Sequence, residues 1–268
     1  MIVWFNMENE NMSHWEGFYV PPDRIHGDEV TFPPEEVRHL FFVLRKNRGD
    51  KIWTVDGRGT AHEVELVHLA RKEARGRILS SEQNVGESTC AVTLAAGALK
   101  GERFDWLVEK AVELGVRSIV PFLSEGTLVK TNAPRVRRWR NLAIAAMKQS
   151  GRSVLPDVDE FRNLEYVLKD SSAHELRLAA HPGEGSVPMP KAFQSLPHSL
   201  KSALLLVGPE GGFVQREINL LKEHDFVFVS LGPRRLRAET AGIVLLSRFM
   251  MLAGDLTGFQ NLSGPLSC

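Results

Sequence analysis

Two short apolar runs constrain this chain more than any other feature. Ser202 to Val207 and Phe226 to Ser230 are almost wholly hydrophobic. Each is followed within two residues by Gly-Pro and then by a helical pattern. A strand without polar alternation is buried on both faces, which is the state of a strand inside a parallel sheet covered by helices. The chain upstream agrees from about residue 88. Thr89 to Ala98 reads as a strand. Glu102 to Leu114 reads as a helix with Phe104, Leu107, Val108, Ala111 and Val112 inward, closed by Gly115. Ser118 to Phe122 is a strand, Pro134 to Ser150 a helix and Arg177 to His181 a strand, with helices again over Val214 to His224 and up to Ala253. Such alternation implies an α/β fold with helices on both faces of a mostly parallel sheet.

Residues 17 to 85 follow a different rule. Gly17 to Val20, Lys51 to Asp56, Thr60 to Leu69 and Arg77 to Ser80 are strands, and in the third Ala61, Glu63 and Glu65 alternate with His62, Val64 and Leu66. Pro33-Pro34 opens a helix with Val37, Leu40, Phe41 and Leu44 on one face. A basic turn with Arg45, Lys46 and Arg48 follows it. Residues 83 to 88 form a linker, so a small β-rich unit (17–85) precedes the α/β unit (86–268). Residues 1–16 are expected to be a disordered leader. They are not a signal peptide, because no basic stretch precedes Met1 to Phe5 and Glu8 and Glu10 follow at once.

Composition removes several classes. Lys+Arg and Asp+Glu are both 33, which excludes a strongly basic histone-like binder and an acidic tail. Two cysteines, Cys90 and Cys268, make neither a disulfide framework nor a zinc site, and they suggest a reducing, cytoplasmic setting. No apolar run is long enough to cross a membrane. The nine histidines show no metalloprotease spacing, so no metal is expected.

The chemistry is expected at the two Gly-Pro turns. Gly208-Pro209-Glu210-Gly211-Gly212-Phe213 carries three glycines between a buried strand and a helix. It is not a P-loop, having no Gly-Lys-Ser/Thr, and it lacks the G-x-G-x-x-G spacing of a dinucleotide site. Leu231-Gly232-Pro233-Arg234-Arg235-Leu236-Arg237-Ala238-Glu239-Thr240 follows the second strand. Two neighbouring strand ends of this kind make a ligand pocket at the carboxyl edge of the sheet.

These two segments resemble the RsmE family of 16S rRNA uridine-N3 methyltransferases, a branch of the SPOUT, or trefoil-knot, superfamily. Further matches are Lys100-Gly101 with Lys110 to Val116, Gln149-Ser150-Gly151-Arg152, and His39 with Val43-Leu44-Arg45 and Gly49-Asp50. Together they span about residues 17 to 255. The resemblance implies a PUA-like RNA-binding β-barrel, then a knotted α/β domain holding S-adenosylmethionine, acting as a homodimer on 16S rRNA or the small ribosomal subunit. The sequence departs from the family pattern at Gly126, Lys148 and Arg235.

On this resemblance the cofactor residues are Leu206, Gly208, Glu210, Gly211, Gly212, Leu231, Gly232, Leu236 and Thr240. Arg45, Lys46, Arg48, Arg234 and Arg235 are the RNA contacts. N3 of uracil holds a proton at neutral pH, so methylation there needs a proton acceptor or a cation that stabilises the uridine anion. Glu239 is the candidate acceptor, or else a first-turn stabiliser of the last helix. Arg237 and Arg152 are the candidate cations. For Arg237 the alternative is an ion pair with Glu239 or a neighbouring carboxylate. Trp139 suits packing better than stacking on a base, and Cys90 suits the core. Two other functions stay open: a SPOUT enzyme acting on ribose 2′-O or guanine N1, and a non-catalytic RNA-binding assembly module.

Overall fold

The computed structural model describes residues 17–125, 133–183, 185–193 and 200–256. The expected leader, Gly126 and Cys268 lie outside them. A first sheet contains β1 (Gly17–Tyr19), β2 (Ile25–His26), β3 (Glu29–Thr31), β4 (Lys51–Val55), β5 (Thr60–Leu69) and β6 (Ala74–Gln83), in the order β1-β4-β5-β6-β3-β2. His62, Val64 and Leu66 of β5 are buried and Glu63 and Glu65 are half-exposed, while Ala61, on the face of the two glutamates, is buried and departs from the alternation. Strand β6 is longer than the Arg77 to Ser80 expected from sequence. Gly76 hides the extra length, because Val64 packs directly over its α-carbon and leaves no apolar side chain to read. Helix α1 (Pro34–Arg38) is shorter than expected and widens into a π turn over His39–Val43. Val37 and Leu40 are buried there, while Phe42 and Val43 are exposed.

The second sheet contains eight parallel strands. Its elements run β7 (Ala91–Gly97), α2 (Arg103–Glu113), β8 (Ser118–Leu123), α3 (Ala133–Ser150), β9 (Asp157–Val158), β10 (Arg162–Asn163), α4 (Leu164–Lys169), β11 (Leu176–Ala180), β12 (Val187–Pro188), α5 (Met189–Phe193), β13 (Ser202–Val207), α6 (Gln215–Glu223), β14 (Val227–Ser230) and α7 (Ala238–Leu252). The strand order is β10-β8-β7-β13-β11-β14-β12, with β9 beside β8. Both faces are covered. Leu205 and Val207 of β13 join one core with Phe104 and Leu107 of α2 and Leu245 and Phe249 of α7. Leu204 and Leu206 join a second core with Leu164 and Leu168 of α4 and Leu221 of α6. Successive residues of one strand thus supply opposite cores, which is why the run has no polar member.

Arg152 departs from expectation. It is 2% exposed and does not line the pocket formed by the glycine turns. Its Nη1 donates to the carbonyls of Val112 (2.9 Å) and Val116 (3.0 Å), and its Nη2 donates to Glu87 Oε2 (2.6 Å). Glu87 also accepts from the Val154 N–H. The expected cation is therefore held inside the protein by two carbonyls and a carboxylate, away from the glycine turns. The same stretch ties the two sheets together. Gly59 N–H donates to Ser153 O, Leu155 N–H donates to Gly57 O, and Lys148 pairs with the buried Glu36 of α1. Trp139 is a packing residue, fully buried against Phe104, with Nε1 donating to Asp105 (2.7 Å). Cys90 is buried at the start of the second sheet, and burial pushes its thiol up to about 11.

Candidate active site

The carboxyl edge of the second sheet opens into a cavity of about 820 Å³. That size suits a cofactor or a small ligand. The two Gly-Pro turns form its walls, but their strands are not neighbours. β11 lies between β13 and β14, paired in parallel to both. Its tip brings Ala180, His181 and Pro182 into the cavity, residues the sequence did not point to. Strand order in a parallel sheet is set by where the helices cross, and no local periodicity encodes it. Burial and nearby Lys222 hold the His181 imidazole below its ordinary value.

The glycines shape the wall. Gly212 (φ +76°) and Gly232 (φ +119°) adopt backbone conformations that a side chain would strain. A β-carbon on Gly211, Gly212 or Gly232 would meet nothing within 4 Å, so these backbones border open space. Gly208 is tighter, with a β-carbon there 3.2 Å from the Gly212 carbonyl carbon. A turn bond from Gly212 N–H to Pro209 O (2.9 Å) closes the first loop. Phe213 pins its end by lying parallel to Phe122, with ring centroids 6.5 Å apart. Glu217, buried and missed by the sequence reading, accepts from Ser124 Oγ, Glu125 N–H and Val214 N–H, fixing the start of α6. An open cradle of backbone N–H and C=O groups fits the adenosine part of S-adenosylmethionine, which needs hydrogen bonds and close approach rather than charge.

The other expected residues divide. Gly208, Glu210, Gly211, Gly212, Leu231, Gly232 and Leu236 line the cavity, as do Arg234, Arg235 and Arg237. Leu206 does not: its side chain belongs to the second core. Thr240 lies in an adjoining recess. Arg45 and Arg48 are exposed and Lys46 half-buried on the first-sheet unit. Arg103, at the start of α2, is a further polar residue the sequence did not single out. Its Nη1 donates to Glu210 (3.1 Å), and its Nε lies 3.9 Å from Glu239 Oε1. Glu239 is 7% exposed, and its Oε2 has no hydrogen-bond partner among the described residues. Arg237 is exposed at the N-terminus of α7 and makes no ion pair with Glu239. Among the described residues no three His, Cys, Asp or Glu side chains group as metal ligands, and no helix is long and apolar enough to cross a membrane.

Comparison with known proteins finds two family models along the chain. Residues 86–250 match a model described as an RNA methyltransferase domain, and residues 32–79 one described as an RNA methyltransferase PUA domain. A "Ribosomal RNA small subunit methyltransferase E" of Synechocystis is 34% identical over 234 residues, 87% of this chain and 76% of the relative. One from Bacillus subtilis is 30% identical over 84% of this chain and 91% of its own length. The crystal structure of such an enzyme from Neisseria gonorrhoeae, bound to S-adenosyl methionine, superposes with a TM-score of 0.81 at 33% identity, covering 91% of this chain and all of that one.

Proposed function

This chain belongs to the ribosomal RNA small subunit methyltransferase E family of RNA methyltransferases, and on that premise we propose that it methylates N3 of one uridine in the 16S rRNA of the small ribosomal subunit, using S-adenosylmethionine. The observation that carries the reading is the glycine-walled cavity at the carboxyl edge of the sheet with a carboxylate and two arginines beside it. The cofactor supplies a methyl group already activated by a sulfonium, so the chain's tasks are alignment and removal of a proton.

The backbones of Gly208, Gly211, Gly212, Leu231, Gly232 and Leu236 hold the adenosine moiety. Glu239 takes the N3 proton, and Arg237 stabilises the charge left on the base. Glu210 serves by fixing Arg103 through their ion pair rather than by touching substrate. Arg234 and Arg235 at the cavity mouth, and Arg45, Lys46 and Arg48 on the first unit, meet phosphates. We read the division at residues 85/86 as RNA-binding and catalytic domains. The insertion of β11 between the strands bearing the two turns supports a SPOUT-type trefoil knot. The cytoplasm and a homodimer complete the reading.

The test is direct. The purified protein is incubated with labelled cofactor and 16S rRNA from a strain lacking the modification, and the product nucleosides are separated by mass. 3-Methyluridine is the expected product. A ribose-methylated or guanine-methylated product, or no transfer, would overturn the reading.

A further inference from the structure

Beside the cofactor cavity lies a more open recess lined by Glu102, Arg103, Trp106, Arg237, Glu239 and Thr240. Arg103 and Arg237 border both spaces, so the two share a wall. Two side chains in the recess call for a ligand. Trp106 stands on the outer face of α2, beside Glu102 and Arg103 and opposite the buried Phe104, Leu107 and Val108; among these charged neighbours the indole is the one large apolar side chain, and it is 43% exposed. A large, rigid aromatic face left open beside a polar recess is a stacking surface. Glu239 is in the opposite state, nine-tenths buried with Oε2 unpartnered among the described residues. Among the described residues the cation within ion-pair range of it is Arg103, at 3.9 Å, beyond hydrogen-bond length. A buried carboxylate with unfilled acceptor capacity is costly, and only a donor relieves it.

We propose that this recess takes the target base itself, with Trp106 as the stacking platform and Arg103, Glu239 and Arg237 as a donor–acceptor–donor row that reads the pairing edge of uracil. The proposal rests on the function proposed above and adds Trp106 and Arg103 as the residues that recognise the base. Uracil presents acceptor, donor, acceptor at O2, N3–H and O4. The guanidinium groups answer the two oxygens and the carboxylate answers N3–H. Cytosine reverses two of the three positions. Its unprotonated N3 would face the carboxylate and its amino group a guanidinium, so it is rejected by unpaired, like-polarity groups rather than by shape. Methylation at N3 requires the base to leave its stack, and Trp106 replaces the stacking that is lost. The N3 proton passes to the Glu239 carboxylate and from there to water.

Trp106→Ala and Trp106→Phe test the platform, since an exposed side chain can be removed without unfolding the chain. In Trp106→Ala, kcat/KM for unmodified 16S rRNA is expected to fall about tenfold or more. Affinity for S-adenosylmethionine by calorimetry should stay within twofold, and Trp106→Phe should recover most of the loss. A second readout needs no turnover: 16S rRNA added to protein loaded with S-adenosylhomocysteine should quench tryptophan emission in the wild type, and the quench should vanish in Trp106→Ala. Unchanged kcat/KM and an unchanged quench in Trp106→Ala would sink this proposal alone. So would a loss that Phe fails to rescue or that cofactor affinity shares. A wild-type protein making no 3-methyluridine would instead remove the underlying function, and this inference with it.

Discussion

Arg152 and Glu239 are both charged and both buried, and they differ in how their hydrogen bonds are met. Arg152 is satisfied by two carbonyls and a carboxylate. Replacing it with Met leaves Glu87 charged and unpaired in the interior. Breaking a buried pair from one side costs about 3–5 kcal/mol. Arg152→Met should therefore lower the urea midpoint sharply while the protein that stays folded binds cofactor as before; a fully stable variant that had lost only turnover would restore a catalytic role. Glu239→Gln keeps shape and removes the proton acceptor. Its kcat should fall about 10²–10⁴-fold with cofactor affinity retained, and its residual rate should climb as pH rises and the base loses its proton unaided. Wild-type turnover in that variant would remove Glu239 from the chemistry. Both residues stand out in the sequence, but their roles do not. Arg152 is decided by Glu87, 65 positions away, and no spacing rule names a partner at that distance.

Among the elements, the buried strands and their helices are legible because a 3.6- or 2-residue period and a run of uninterrupted hydrophobes each reflect a burial condition. The pieces β9, β10 and β12 are not, since two residues have no period. The insertion of β11 between β13 and β14 is invisible for a related reason: hydrophobic pattern says that a strand is central, never beside which strand. Gly97, at the end of β7, shows how closely these elements meet. A β-carbon there would lie 2.7 Å from Pro209 Cδ and 2.9 Å from the Gly208 carbonyl carbon. The neighbour is backbone and a proline ring, which cannot swing aside. Gly97→Ala should push the first glycine turn outward and weaken cofactor binding by about tenfold or more, an energetic cost within the roughly 1–3 kcal/mol of overpacking. Calorimetry with unchanged affinity would show that the turn yields freely.

The whole molecule carries a pH signature. Burial holds the imidazoles of His62, His174 and His181 below their ordinary 6.5. The folded protein then binds fewer protons than the unfolded chain, so stability is intact above about 6.5 and is lost as pH falls below it. Tm should drop between pH 7 and 5, and His62→Asn combined with His174→Asn should flatten that slope. Comparing the two proteins removes the contribution of Asp255, whose carboxyl burial shifts up and whose effect has the opposite sign. Equal slopes would show that these rings are not what acid attacks.

The cavity wall draws on α2, the tip of β11, both glycine turns and the start of α7, positions from Arg103 to Ala241. The second glycine turn and the start of α7 supply nearly half of it. A nascent polypeptide leaving the ribosome has therefore no complete place to dock a nucleoside until α7 has emerged and the parallel crossings before it have closed, the slowest class of pairing to form. Competence arrives in one step, once α7 is made, and copies that stop short of it have no means of marking RNA.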